Sequence, residues 1–315
     1  MPTPSPEATI RIAVVGLGKV ARDQHVPALA ADGRFALAAT VSPGADGIDG
    51  VPHFASLDAL LAQGPPLDAV ALCTPPQVRH ALAARAIAAG LHVLLEKPPG
   101  ATVSEVRALT SEADRAGTTL FAAWHSRFAA AVALAGEWLR GRPIRSAAIV
   151  WREDVRQWHP GQDWIWEPGG LGVFDPGINA LSIATAVLPG PVVLEGARLV
   201  VPLNRAAPIA AELDLRAAGG APVTMDLDWR QTGTPTWDIR VETDDGPLVL
   251  SRGGSSLSRP DGSAEHFEDR EYPALYARFH ELIRRGESDV DLGPFQLVAD
   301  AFLLGRRQPA EAFHD

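Results

Sequence analysis

The amino-acid sequence predicts an α/β protein in two parts: a doubly wound parallel sheet, then an α+β domain with an open, mostly antiparallel sheet. Three observations predict it. Short apolar runs alternate with helical patterns from residue 10 to about residue 124, the signature of parallel strands joined by crossover helices. The first run ends in a glycine turn that opens a helix, Gly16-Leu17-Gly18-Lys19-Val20-Ala21. Beyond residue 145 the patterning changes to period two, with hairpin punctuation at Gly219-Gly220, Gly233 and Asp245-Gly246, as in antiparallel sheets with one covered face.

Composition agrees. The 315 residues suffice for roughly two domains of ~150 residues each. The hydrophobic fraction is 46% and the charged fraction 21%, the balance of a globular protein with a sizeable core. A formal charge of −10 argues against nucleic acid or an anionic membrane as the main partner. The single cysteine, Cys73, excludes an intramolecular disulfide and a multi-cysteine metal site, and fits a reducing compartment. Residues 1–9 form a Pro-rich tail without a signal-peptide pattern, and no apolar run approaches a membrane span of ~20 residues. A cytoplasmic location is the expectation.

In chain order, Ile10–Val15 is the first strand. The turn after it reads G-x-G-x-x-A; its glycines allow a tight turn and close backbone approach, and the helix N-terminus offers N–H groups to a pyrophosphate. Gly16, Gly18, Lys19 and Val20 are therefore cofactor-binding candidates in a Rossmann domain over residues 10–124. Phe35–Val41 is the second strand. At its end an acid favours NAD and an arginine NADP; here Ser42-Pro43-Gly44 follows. Ser42 can bond either a ribose hydroxyl or a phosphate. The missing arginine tilts the expectation slightly to NAD, and the missing acid leaves NADP open. A short helix over 57–62 precedes a buried strand over 69–73. Pro75 and Pro76 are expected to delay the next helix, 77–89, with Gly90 as its C-cap.

The run Val93-Leu94-Leu95 then stops at Glu96-Lys97-Pro98-Pro99. It presents a carboxylate and an amine at the carboxyl end of a sheet strand, the edge where ligands bind in open α/β sheets. A helix over 102–116 and a strand over 118–123 complete the domain. In the second part, 125–315, a helix over 129–140 leads to strands at 146–154, 193–202, 209–217, 222–230, 236–243 and 247–251, and helices over 274–285 and 295–304 end the chain. Between 151 and 180 tryptophans, carboxylates and imidazoles concentrate: Trp151, Glu153, Trp158, His159, Trp164, Trp166, Asp175 and Asn179. Flat indole faces pack against sugar C–H faces, while carboxylates, amides and imidazoles bond hydroxyls. Asp175 and Asn179, four apart, share one face of a helix running to about Val187; Asp175 before Pro176 is also a good N-cap. No His/Asp cluster has metal-ligand spacing, so no metal is expected. His25, His53, His92 and His280 read as structural or solvated.

Gly16-x-Gly18-x-x-Ala21, Thr74-Pro75 with His80 beyond, Ala89-Gly90-x-His92-Val93 leading into Glu96-Lys97-Pro98, and His125-Ser126-Arg127-Phe128 resemble the glucose–fructose oxidoreductase/inositol dehydrogenase family. The resemblance implies nicotinamide-dependent oxidation of a sugar or polyol. It adds Cys73, Thr74, Pro75, His80, Glu96 and Lys97 to the cofactor edge, with Glu96 as a support for its neighbours. The family keeps an Asp-x-x-x-His pair on the reacting hydroxyl; this chain has Asn179 in the histidine's place. Asn cannot take a proton, so the base falls to Lys97, Asp175 or both. The stretch from Glu153 to Asn179 is most similar to the branch whose bacterial members oxidise L-arabinose or D-galactose at the anomeric carbon to an aldonolactone. That similarity implies a pocket lined by Lys97, His125, Glu153, His159, Asp175 and Asn179, walled by Trp158 and Trp237. A homodimer through the second sheet is a family-based expectation. The alternatives are another oxidoreduction of the family (polyol or cyclitol oxidation, diol dehydrogenation, imine reduction) or a non-enzymatic sugar- or nucleotide-sensing regulator.

Overall fold

The computed structural model describes residues 9–44 and 46–314; apart from Thr9, the expected tail lies outside the described residues. The chain divides into two compact units, residues 1–123 with 272–291, and residues 124–271 with 292–315.

The first unit is a six-stranded parallel sheet: β1 Ile10–Val15, β2 Phe35–Val41, β3 His53–Phe54, β4 Ala69–Leu72, β5 His92–Glu96 and β6 Leu120–Ala123. The strand order is β3-β2-β1-β4-β5-β6, doubly wound with its switch point between β1 and β4. Each central strand buries both faces, as Ala69–Leu72 and Val93–Leu95 show, because helices cover the sheet on both sides. Helix Val103–Ala116 starts at a capping box, Thr102 accepting from Glu105 N while the Glu105 carboxylate accepts from Thr102 N at 3.3 Å. Contrary to expectation, helix Pro76–Ala88 begins at Pro76 itself. A proline at the first helical position gives up only an N–H that has no intrahelical partner.

The helix after the glycine turn contains a wide π-turn, Ala21–His25, ahead of the α-helical Val26–Ala31. Val26 N donates to Ala21 O, five residues back. Pro27 is the physical reason: it lacks an N–H and would clash with the Asp23 carbonyl in a regular helix.

The second unit is a mixed, mostly antiparallel nine-stranded sheet: β7 Ile144–Arg152, β8 Val193–Pro202, β9 Ala210–Arg216, β10 Pro222–Asp228, β11 Thr236–Thr243, β12 Gly246–Ser251, β13 Ser256–Ser258, β14 Ala264–His266 and β15 Arg306–Ala310. Their order is β14-β13-β12-β11-β7-β10-β9-β8-β15. Only β10 with β7 and β15 with β8 run parallel. Helices Ala130–Leu139, Phe174–Val187 and Gly293–Leu304 pack with one another and with the strands. Outward-pointing residues pair as charges, Arg152 with Asp226 and Arg198 with Glu212. The expected fold class is therefore observed in both units.

The partition differs from the contiguous one read from the sequence. Helix Glu271–Arg285, from Tyr272 onward, belongs to the first unit. Its buried residues Tyr272, Leu275, Tyr276, Phe279 and Leu282 repeat at helical spacing, a pattern that reports a covered face but not which sheet covers it. Phe279 stacks on Phe35 and Phe121. Asp289 then pairs along the edge strand β6, accepting from Ala122 N and donating to Leu120 O, both at 3.0 Å.

The same helix closes a buried polar network. Tyr272 OH donates to Glu96 Oε1 at 2.7 Å, and His25 Nε2 lies 3.0 Å from the same oxygen. His25 Nδ1 meets Tyr276 OH at 2.8 Å. Glu96 Oε2 accepts from Lys97 N at 2.8 Å. His25 is fully buried and Glu96 2% exposed. Burial favours a neutral imidazole, but the Cys73 sulfur, the Tyr276 oxygen and the Glu96 carboxylate outweigh it and raise the His25 pKa well above its ordinary value. Burial, partly opposed by the His25 charge, pushes the Tyr276 phenol up to about 12.

The chain has two tyrosines, both in this network. In a Tyr272→Phe variant the remaining phenol should titrate, by tyrosinate absorbance, at about 12 in the native protein and near 10 once denaturant unfolds it. The unfolded phenol then loses its proton first, so the stability contributed by Tyr276 should fall as pH rises from about 10 toward that native value. A native phenol titrating near 10 would contradict this packing.

Candidate active site

In the first unit the glycine turn shows why its residues are small. Gly16 has φ +92°, and a Cβ there would stand 2.9 Å from Cys73 C and Thr74 N. The turn after β1 and the turn after β4 therefore touch backbone to backbone, which only glycine permits. A Cβ on Gly18 would meet nothing within 4 Å, so its backbone faces open space at the start of the helix. Thr74 Oγ1 is buried with no hydrogen-bond partner among the described residues. Open backbone at a helix start beside an unsatisfied hydroxyl fits a dinucleotide's phosphates. Val20 lies half-buried in that helix start, while exposed Lys19 is engaged by Asp23 one turn on. Ser42 leaves β2 half-buried, its N–H bonded to Phe54 O at 3.1 Å. Pro75 is exposed, and Cys73 and His80 are half-buried.

Sequence reasoning missed the residue that ties these turns together. Arg79, 2% exposed, donates to the carbonyls of Thr74, Glu96 and Pro98. One guanidinium thus clamps the turn after β4 to the turn after β5, which carries the half-buried Lys97. An arginine in a helical pattern reads as a solvated residue; nothing in its spacing reveals an inward reach. His25 is likewise more than structural filler, since it holds the Glu96 carboxylate. The other histidines read as structural do have structural partners: His53 bonds Thr40 Oγ1 at 2.9 Å, His92 Nδ1 accepts from Thr119 N at 2.9 Å, and His280 packs edge-on against Phe35.

In the second unit the cluster read from 151–180 is brought together. Pairing of β7 with β11 sets Trp151 opposite Trp237. Just past β7, Glu153 N donates to Asp228 O at 3.0 Å, placing Glu153 beside the strand that continues to Trp229. Glu153 is 3% exposed. Its Oε2 accepts from Trp237 Nε1 at 2.8 Å and its Oε1 from Trp229 Nε1 at 3.3 Å. Each oxygen of this carboxylate thus holds one indole N–H. Trp229 was missed because its strand position reads as ordinary core.

Asp154 caps the short helix Val155–Trp158 by accepting from Arg156 N at 3.0 Å. That turn brings His159 over Trp229, ring centroids 5.2 Å apart, with Nε2 3.4 Å from Glu153 Oε1 and Nδ1 3.7 Å from Asp175 Oδ2. Trp158 packs edge-on against Trp237, ring centroids 5.1 Å apart. His159 Nδ1 and Trp158 Nε1 are buried without a hydrogen-bond partner among the described residues.

Asp175 sits in the first turn of helix Phe174–Val187, after the N-cap position Val173, and is 2% exposed. It is not the helix cap that its sequence context suggested. Asn179, one turn on, is half-buried. Gly172, with φ +54°, sets up this helix; a Cβ there would lie 2.3 Å from Pro208 O. His125 Nδ1 meets Glu271 Oε2 at 2.5 Å and Ser126 Oγ at 3.3 Å. Glu271, 146 residues away in sequence, carries no local signal of that partnership. Among the described residues no group of three or more His, Cys, Asp or Glu is gathered as a metal-ligand set, and no helix is long and apolar enough to cross a membrane.

Residues 10–124 match the model of the Gfo/Idh/MocA oxidoreductases, described by their NAD-binding Rossmann fold. A galactose 1-dehydrogenase of Pseudomonas fluorescens is 46% identical over 306 residues, 97% of this chain and 99% of that protein. The crystal structure of a D-galactose-1-dehydrogenase protein from Rhizobium etli superposes with a TM-score of 0.93 at 52% identity, covering 98% of this chain and 99% of that one. A 3-ketoreductase from Actinomadura kijaniata shares the fold at 20% identity, with a TM-score of 0.83 over 96% of this chain and 100% of that one. With the dinucleotide turn, the Glu96-Lys97-Pro98 loop and full-length similarity in agreement, the chain belongs to the Gfo/Idh/MocA family of oxidoreductases.

Proposed function

We propose that the protein is an NAD(P)-dependent aldose 1-dehydrogenase that oxidises the anomeric carbon of a pyranose such as D-galactose or L-arabinose to the aldonolactone. The observation that carries this reading is the cluster around His159. The half-buried indoles of Trp158 and Trp237 adjoin, His159 stands within 3.7 Å of Asp175, and two polar atoms, Trp158 Nε1 and His159 Nδ1, have no hydrogen-bond partner among the described residues. A sugar ring offers both an apolar face and several hydroxyls, and so satisfies both features. The full-length likeness to galactose 1-dehydrogenases points to the same substrate class.

Bound against Gly16, Gly18, Thr74 and the helix start, the nicotinamide cofactor supplies a hydride acceptor. The residues do the rest. Lys97 hydrogen-bonds the anomeric hydroxyl and stabilises negative charge developing on its oxygen. That hydroxyl's proton passes to Asp175, directly or through Lys97, as the C–H electron pair leaves with the hydride and C=O forms. Asn179 and His159 hold the ring through other hydroxyls, and Glu153 keeps His159 and the indoles in register. His125, braced by Glu271, completes the set. On the lone Cys73, the site of action we propose is the cytoplasm; on the charge-paired outer face of the second sheet, a homodimer through that sheet.

Lys97→Ala should lower kcat at least ~100-fold while NAD(P) still quenches tryptophan fluorescence; turnover within a few-fold of wild type would remove Lys97 from the chemistry. Asn179→Ala should raise KM for sugar and slow turnover about tenfold, the scale of one lost hydrogen bond. Its pH–rate profile should keep every ionisation of the wild type, and loss of one would make Asn179 part of the titrating system. A panel of aldoses and polyols with NAD and with NADP, read by reduced-nicotinamide absorbance, should respond to aldoses. Response to polyols alone would overturn the assignment.

A further inference from the structure

The turn leaving β2 lacks the acid that would meet a ribose 2′-hydroxyl, and it lacks an arginine of its own. The structure brings an arginine to this turn from the other side. Arg22 lies in the π-turn Ala21–His25, immediately after the dinucleotide turn, and is exposed. Its Nε donates to Leu17 O, inside the glycine turn, at 3.2 Å, and its Nη2 donates to Asp46 O, beyond the β2 exit. One guanidinium therefore spans from the phosphate turn to the segment four residues past Ser42.

Both of its acceptors are neutral carbonyls. Among the described residues Arg22 meets no carboxylate, whereas the neighbouring Asp23 is engaged by Lys19. A guanidinium has five N–H donors; two are in use, so the remaining donors and the full positive charge are available to an anion. Planar guanidinium donors match phosphate oxygens in pairs. Ser42, half-buried at the head of the same turn, adds a hydroxyl that suits a phosphate as well as a sugar. No acid occupies the strand end itself; the first one, Asp46, lies four residues past Ser42 and offers Arg22 its backbone carbonyl.

We propose that Arg22, with the Ser42 hydroxyl, forms the site for the 2′-phosphate of NADP, so that this chain binds NADP without an arginine following β2. This rests on the reading of the first unit as a nicotinamide dinucleotide site, and it reverses the slight tilt to NAD that the sequence suggested. Because Arg22 is exposed, the preference weakens with salt.

The test is equilibrium binding of two fragments that carry no nicotinamide, adenosine 2′,5′-bisphosphate and 5′-AMP, by titration calorimetry with the full chain. Wild type should bind the bisphosphate at least ~10-fold tighter, the scale of one charge-assisted contact. Arg22→Ala should abolish that preference and leave 5′-AMP affinity within about threefold, while Arg22→Lys should retain part of it. Equal affinity of wild type for the two fragments would overturn the proposal, and needs no variant. Equal loss of both fragments in Arg22→Ala would also overturn it, making Arg22 a support for the turns. Binding of neither fragment to wild type would overturn the dinucleotide reading together with this one, whereas 5′-AMP binding without preference would overturn this one alone.

Discussion

The Glu96 carboxylate is the constraint on which the first unit depends. A carboxylate sealed inside a protein costs several kcal/mol unless its lone pairs are filled, and here three donors fill them: the Tyr272 hydroxyl, the His25 imidazole and the Lys97 N–H. Each donor comes from a different part of the chain. His25 reaches the site because Pro27 widens the turn before it. Tyr272 reaches it because residues 272–291 return to the first sheet. Through the Lys97 amide the network fixes the backbone from which the lysine side chain starts. Arg79 fixes the same loop from its other side through the Glu96 and Pro98 carbonyls.

Glu153 plays the corresponding part in the second unit. It too is buried, and it too spends its oxygens on orienting neighbours, the indoles of Trp229 and Trp237, with His159 close by. Both units thus use a buried acid as an anchor for the groups around it.

Most of the fold was legible because it is written locally. Strand–helix alternation, the glycine turn and period-two patterning each occupy a few adjacent residues, and the elements read from them agree with the structure to within three residues, while the short strands β3, β13, β14 and β15 went unread. The Trp/Glu/His/Asp concentration between 151 and 180 was legible for the same reason. What escaped depends on reach through space. Arg79 and Arg22 lie in helical patterns that look solvated, and Glu271 meets His125 from the far end of the chain. The return of Tyr272–Asp291 to the first sheet is set by which aromatic face covers Phe35 and Phe121, and amphipathic spacing is the same whichever sheet is covered.

The departure at Asn179 looks different in three dimensions than in one. Along the chain it removes the imidazole that the family pattern keeps one turn after the aspartate. In the structure an imidazole still stands beside that aspartate, because the short helix capped by Asp154 delivers His159 to within 3.7 Å of Asp175. His159 is itself backed by Glu153, which leaves Asp175 with a titratable neighbour held on an independent support. Asn179 keeps, one turn on from Asp175, an amide that can both donate and accept at any pH. The pair on the helix has become a cluster shared by two elements, with Asp175 in the first turn of the long helix and His159 at the end of the short one.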